Sequence, residues 1–225
     1  MSGVLLAIDT STTAVALADG TGVLAEATTL DARAHAEHLA PGIRAVLARA
    51  GAQPGDVTDV VVGTGPGPFT GLRVGIATAR TFALALGIDV HGLCSLDALA
   101  HAAWSARPDR GGDLLVATDA RRKEVYAAVY RLSVSGARRL DGPRVTRAAD
   151  LPAEVRSLPA VGRGALLYPD ALPGGGEPLD VSASALADLA ARRLRAGEPL
   201  DGPEPRYLRR PDVADPAPSR KSTLG

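Results

Sequence analysis

The sequence predicts an α/β fold of two lobes, each built on the same order of elements: strand, strand, strand, helix, strand, helix. Three observations carry this. Short β-branched apolar runs alternate with longer stretches whose apolar residues recur at helical spacing. Each half opens with an apolar strand ending in an aspartate, Val4–Ile8 before Asp9 and Asp113–Thr118 before Asp119. Between the halves lies Arg107–Gly112, a linker in composition with Pro108, Gly111 and Gly112. Order repeats while residue identity does not, so the second copy is degenerate. The division is residues 1–106, 107–200 and a C-terminal segment, 201–225, docked to about residue 210 and disordered beyond.

In chain order, Val4–Ile8, Thr13–Asp19 and Val23–Leu30 read as three strands, with Gly20-Thr21-Gly22 as a turn. Ala34–Ala50 is helical, with Leu39, Ile43, Val46 and Leu47 on one face and Gly51 as its C-cap. Pro41 lies inside it and should kink it unless the helix restarts there. Val57–Val62 is a strand, Leu72–Leu86 a helix, Ile88–Gly92 a short strand and Ser95–Ser105 a helix capped by Ser95. In the second half, Glu124–Arg131 and a region near Arg138–Val145 are strands. Asp150–Ser157 is a short helix, Ala160–Gly164 a strand, and Ser184–Arg195 a helix closed by Gly197. Pro169–Pro178 is a loop, and Tyr207 and Leu208 require burial.

Composition narrows the function. The chain has 225 residues, 46% of them hydrophobic, enough for sizeable cores. Lys plus Arg and Asp plus Glu number 25 each, so there is no broad electrostatic footprint for tight, unaided RNA binding. The single cysteine, Cys94, excludes an internal disulfide and reads as a small buried hydrophobe in a reducing compartment. The apolar run at Val4–Ile8 is too short for a signal peptide, and no stretch suits a membrane span, which points to a soluble cytoplasmic protein.

The chain is organised around residues 59–75, a strand entering a Gly/Pro loop from which a helix leaves. Such a loop often cradles an anion on backbone N–H groups. Here no lysine completes a phosphate-binding G-x-x-x-x-G-K-[ST] pattern, and Pro66 and Pro68 each remove a donor. The loop therefore reads as a stiff packing turn, with Asp9, Thr10, Ser11, Gly65, Gly67 and Gly71 as the residues of a phosphate site if there is one. Asp9 and Asp119 end strands facing the cleft, where they either handle metal-nucleotide or, for Asp9, cap the first hairpin. Arg121-Arg122-Lys123 is a basic turn that reads as a solvated tip. His35 and His38, at i and i+3, lack a third convergent ligand, and His91 and His101 are off register. No serine sits in a nucleophile context.

Two lobes of this order resemble the actin/hexokinase-like (ribonuclease H-like) superfamily. The motifs go further: A-I-D-T-S at 7–11, G-P-G-P-F-T-G-L-R-V-G at 65–75, S-L-D-A-L-A at 95–100, D-A-R-R-K-E-V-Y-A-A-V-Y at 119–130 and P-R-Y-L-R-R at 205–210. On these, from Val4 to about Arg210, the chain is similar to the bacterial TsaB family. Two departures stand out: Lys123 where the family has glycine, and Pro68 where it has serine. Lysine would be mildly strained there if the turn needs a positive φ.

The resemblance implies a non-catalytic scaffold subunit in the synthesis of threonylcarbamoyladenosine on tRNA. It would bind TsaD, the related catalytic subunit, share TsaE, a small ATPase, and meet tRNA only through the complex. The TsaD-like metal histidines fall on Ser95 and Leu99, and a hydroxyl and an isobutyl group cannot replace two imidazoles. The expectation is thus no metal, no catalytic residue and no resident cofactor, with ATP at a complex interface left open. Alanine- and leucine-rich helices place the partner face, and a homodimer contact in the partner's absence, on Leu39, Ile43, Leu47, Leu72, Arg73, Ile76, Ala79 and Ala83. Two other classes stay open, a kinase or ATPase using the cleft near Asp9 and a metal-dependent peptidase.

Overall fold

The computed structural model describes residues 3–11, 14–29 and 35–209, so the expectations for Thr13, Leu30, Ala34 and the tail from Arg210 lie outside the described residues. The first sheet has the order β3-β2-β1-β4-β5, built from β1 (Val4–Asp9), β2 (Ala14–Asp19), β3 (Gly22–Thr28), β4 (Val57–Gly63) and β5 (Asp89–Leu93). β1, β2 and β3 form an antiparallel meander, and β1, β4 and β5 run parallel. The strand β4 is buried on both faces, which is why Val60-Val61-Val62 is a continuous apolar run and not an alternating one. The period of two then sorts its residues. Leu6, Ile8, Val60 and Val62 face one core, while Leu5, Ala7 and Val61 face another.

The first of these cores is closed by α1 (His35–Ala50) and α2 (Phe69–Leu86). Leu39, Ile43, Val46, Leu47, Ile76, Ala79 and Ala83 all pack into it, each full burial contributing on the order of 2 kcal/mol for the larger side chains. Helix α1 continues through Pro41 without a restart. Pro41 and Glu37, whose carbonyl the proline leaves unpaired, are both exposed, so water can replace the lost partner. Gly51 follows the helix with φ 66°, as its sequence position predicts.

The second sheet repeats the topology in the order β10-β9-β6-β7-β8. It comprises β6 (Gly112–Asp119), β7 (Val125–Ser133), β8 (Gly136–Thr146), β9 (Ala160–Val161) and β10 (Gly175–Gly176). The repeated unit is longer than the sequence reading by one strand and one helix: α3 (Ser95–Ala106) ends the first copy and α6 (Ala183–Arg195) the second. The region 150–157 is one 3-10 turn at Ala148–Asp150 and a single helical turn, α4 (Ala153–Arg156), separated by Pro152. The strand expected over 160–164 stops after Val161, since Gly162 adopts φ 96° and α5 (Arg163–Leu167) begins. The loop 169–178 contains the short strand β10.

Helices α3 and α6 are exchanged between the halves. Although it belongs to the first half of the sequence, α3 packs on β6, β7 and β8, and α6 packs on β1, β2 and β3. One central core therefore contains Leu5 and Val61 from the first sheet, Leu114, Val116 and Tyr130 from the second, and Leu96, Leu99 and Leu186 from the helices between them. Two sheets of identical topology joined this way give the two-lobed actin/hexokinase-like fold. Among the described residues no helix is long and apolar enough to cross a membrane.

Candidate functional site

The centre of the Gly/Pro loop is a buried carboxylate. Asp9 ends β1 fully buried, behind the cleft and not on its wall. Its Oδ1 accepts hydrogen bonds from the Ser11 amide, at 2.8 Å, and from the Ser11 hydroxyl. Its Oδ2 accepts from the Ser95 hydroxyl at 2.7 Å. Ser95 is thus a strut between β1 and α3, whose N-cap is Cys94, so the expected capping role is corrected. The Ser95 hydroxyl also accepts from the Gly65 amide at 3.2 Å. Thr10 is buried too and donates from its hydroxyl to the Gly71 carbonyl at 2.8 Å. Gly63 has to be glycine, because a Cβ there would lie 1.8 Å from Asp9 Oδ2. A Cβ on Gly65 would lie 2.8 Å from a Leu72 methyl. Of the six phosphate-site candidates only Ser11 and Gly67 reach the cleft. The glycines make the loop pack closely, and the Asp9 carboxylate, the Thr10 and Ser95 hydroxyls and the Gly65 amide are spent on internal bonds.

The cleft between the lobes encloses about 510 Å³. Ser11, Pro66, Gly67 and Pro68 line one wall, and Thr118, Asp119, Arg121, Tyr126 and Arg163 the other. Its cations are already matched. Arg163 makes a two-pronged pair with Asp180 at 2.6 and 2.7 Å, and Arg121 lies 3.4 Å from Asp119. The hydroxyl of Tyr126 reaches across to the Gly67 carbonyl at 3.5 Å. Burial, and then the Asp119 charge, push that phenol above its ordinary pKa, so it stays a donor.

The basic turn is strained. Arg121, Arg122 and Lys123 all adopt left-handed backbone, with φ of 60°, 53° and 62°. The surroundings hold them there: Asp119 accepts from the Arg121 amide at 2.8 Å, and the Glu124 amide bonds the Arg121 carbonyl at 2.9 Å. The Lys123→Gly variant should therefore be stabilised by about 1 kcal/mol, read as an upward shift of a chemical-denaturation midpoint at unchanged m-value. A fall in the midpoint would show that the lysine side chain contributes more than its backbone costs.

Ser95 and Leu99, which the family resemblance sets against metal histidines, are committed to packing: Ser95 to Asp9, and Leu99 to the core, fully buried. Between them Asp97, which sequence reasoning missed, accepts from the Tyr130 hydroxyl at 2.7 Å. Arg139 and Arg193 approach it at 3.5 and 3.6 Å. Burial pushes the neighbouring Cys94 thiol up to about 11, in keeping with an inert side chain. His101, also buried, bonds Asp188 of α6 at 2.6 Å, and His91 lies 3.5 Å from Asp59. Among the described residues no group of three His, Cys, Asp or Glu side chains converges as a metal site. Seven of the predicted interface residues, Leu39, Ile43, Leu47, Leu72, Ile76, Ala79 and Ala83, are buried within the chain itself, which corrects their placement on a partner surface. Only Arg73 of that set is exposed, its guanidinium 5.2 Å above the Phe69 ring.

Comparison with known proteins fits this geometry. Residues 5–195 match the family model described as TsaD, tRNA N6-adenosine threonylcarbamoyltransferase. An uncharacterized protein of Mycobacterium tuberculosis (strain H37Rv) is 44% identical over 214 residues, covering 93% of both chains. The tRNA threonylcarbamoyladenosine biosynthesis protein TsaB of Escherichia coli (strain K12) is 36% identical over 135 residues, 59% of this chain and 57% of that protein. The solved structure of YeaZ from Pseudomonas aeruginosa superposes with a TM-score of 0.77 at 28% identity, covering 92% of this chain and 100% of that one. This chain belongs to the TsaD family of tRNA N6-adenosine threonylcarbamoyltransferases, as a TsaB/YeaZ-type member.

Proposed function

We propose that this protein serves tRNA threonylcarbamoyladenosine biosynthesis as a non-catalytic scaffold that binds a TsaD-type protein and assembles with a TsaE-type ATPase. The observation that carries the reading is the use made of the α3 start. Both side chains that the family resemblance sets against metal histidines, Ser95 and Leu99, are consumed by internal contacts. A group transfer needs a Lewis acid or a positioned acid–base pair. Here the Gly/Pro loop supports the fold instead, and the cleft's charges neutralise each other. The TsaD-type partner, or a second copy in its absence, would sit on the outer face of α1 and α2. That face carries Arg73, Ala77, Arg80 and Leu84, the last 83% exposed. tRNA would be met through the complex.

An omission series tests this. A TsaC-type enzyme, which would make the threonylcarbamoyl adenylate, TsaD- and TsaE-type proteins and this chain are incubated with ATP, threonine, bicarbonate and unmodified tRNA. Modified adenosine should disappear when this chain is left out, while the chain alone neither modifies tRNA nor hydrolyses ATP. Modification without it would overturn the scaffold role, and ATP hydrolysis by the chain alone would favour a kinase or ATPase working in the cleft.

A further inference from the structure

After α6 the chain does not stay with the second lobe. Leu200 packs on the central core, and the Asp201 carbonyl accepts from the Gly92 amide of β5 at 2.7 Å, forming a single bridge on the edge of the first sheet. Gly92 is shaped for this seat, since a Cβ there would lie 2.1 Å from the Gly202 carbonyl oxygen. Arg80 of α2 donates to the Pro203 carbonyl at 3.2 Å and to Glu204 at 2.9 Å. The Arg206 amide donates to the Thr64 carbonyl at 2.8 Å, and the Tyr207 ring lies 4.8 Å from that of Phe69. Then the chain crosses. Leu208 returns to the central core, and Arg209 donates to the Ala120 carbonyl at 3.0 Å and pairs with Glu124 in the second lobe.

We propose that residues 200–209 are a strap that sets how far the cleft between the lobes opens. The two ends of its crossing sit beside the two walls. Thr64 and Phe69 flank Pro66, Gly67 and Pro68 on one wall, and Ala120 and Glu124 flank Arg121 beside Asp119 on the other. The floor of the cleft is fixed by the shared core of α3 and α6, which makes it the natural pivot. At the rim, the side-chain bond of Tyr126 to Gly67, at 3.5 Å, is at the outer limit of a hydrogen bond and gives little resistance to opening. From Arg206 to Arg209 is three residues, a leash of roughly 11 Å at full extension. The Arg209 side chain, whose guanidinium makes the anchor, adds its own reach, and the walls cannot part beyond the combined length while it holds. The strained turn at 121–123 lies between the two groups that Arg209 holds, the Ala120 carbonyl and Glu124.

The strap is tested on the full chain, mixed with an excess of unlabelled chain, by the distance between spin labels at Leu24→Cys on β3 and Leu166→Cys on α5, both exposed and away from the α1–α2 face, with the buried Cys94 left unlabelled. The labelled parent should give one narrow distribution. Arg209→Glu should shift it to longer distance and broaden it, Arg209→Lys should leave it narrow, and adding Glu124→Arg to Arg209→Glu should narrow it again. If Arg209→Glu does not fold, as judged by circular dichroism, Arg209→Gln takes its place with the same expected shift. An unchanged distribution in the charge-removing variant, or no recovery in the folded charge-swapped pair, would overturn the proposal.

Discussion

Replacing Gly63 with alanine should cost about 3 kcal/mol or more, one of the largest losses available to a single methyl group in this protein. The added Cβ would stand 1.8 Å from Asp9 Oδ2 and 2.9 Å from the Ser95 hydroxyl, inside the contact that joins β1 to α3. Neither neighbour can give way cheaply. Asp9 is fully buried, and moving its carboxylate breaks the Ser95 bond while leaving charge without full compensation. In a chain of this size that loss corresponds to a fall in Tm of roughly 6–12 °C. Gly55→Ala, at a position where a Cβ meets nothing within 4 Å, is the control and should leave Tm nearly unchanged. Equal, small effects in both variants would show that the Asp9 site relaxes freely.

Asp97→Ala should be comparably destabilising, by about 3 kcal/mol, because removal of one partner strands the others. The Asp97 side chain is 7% exposed, and it gathers groups from three other elements: Tyr130 of β7, Arg139 of β8 and Arg193 of α6. Arg139 already has one buried nitrogen, Nη1, without a hydrogen-bond partner, and losing Asp97 would remove the nearest charge that balances it. Tyr130→Phe removes a single hydrogen bond and should cost about 1 kcal/mol. In the double variant the two losses should add to less than their sum, since the phenol has lost its acceptor either way. Urea titrations of the four proteins measure this cycle, and full additivity would mean that Tyr130 and Asp97 act independently.

Much of this molecule was legible in its sequence because much of it is local. Val60-Val61-Val62 announces a strand buried on both faces, and the spacing of Leu39, Ile43, Val46 and Leu47 marks the inward face of α1. Gly51 ends that helix for a reason contained in one residue's backbone freedom. The mild strain expected of Lys123 was readable from a missing glycine, although the two arginines before it adopt the same left-handed backbone. The apolar richness of α1 and α2 was legible as well, but not its destination. A helix pattern shows that a face must be buried and says nothing about which surface buries it, and here the lobe's own sheet does so.

The tertiary structure alone decided the rest, since the decisive contacts join distant residues. Asp9 meets Ser95 across 86 positions, His101 meets Asp188 across 87, and Arg209 reaches Ala120 across 89. Periodicity and turn chemistry act over a few residues and carry no information at those separations. The exchange of α3 and α6, the internal pairing of the cleft's charges and the strap across its rim follow from which surfaces meet once both sheets have formed. Sequence alone determined most of the elements and their repeated order, but not α5 and β10 of the second copy, which are only five and two residues long. Packing between the two copies determined that the loop most suggestive of ligand chemistry is a structural joint.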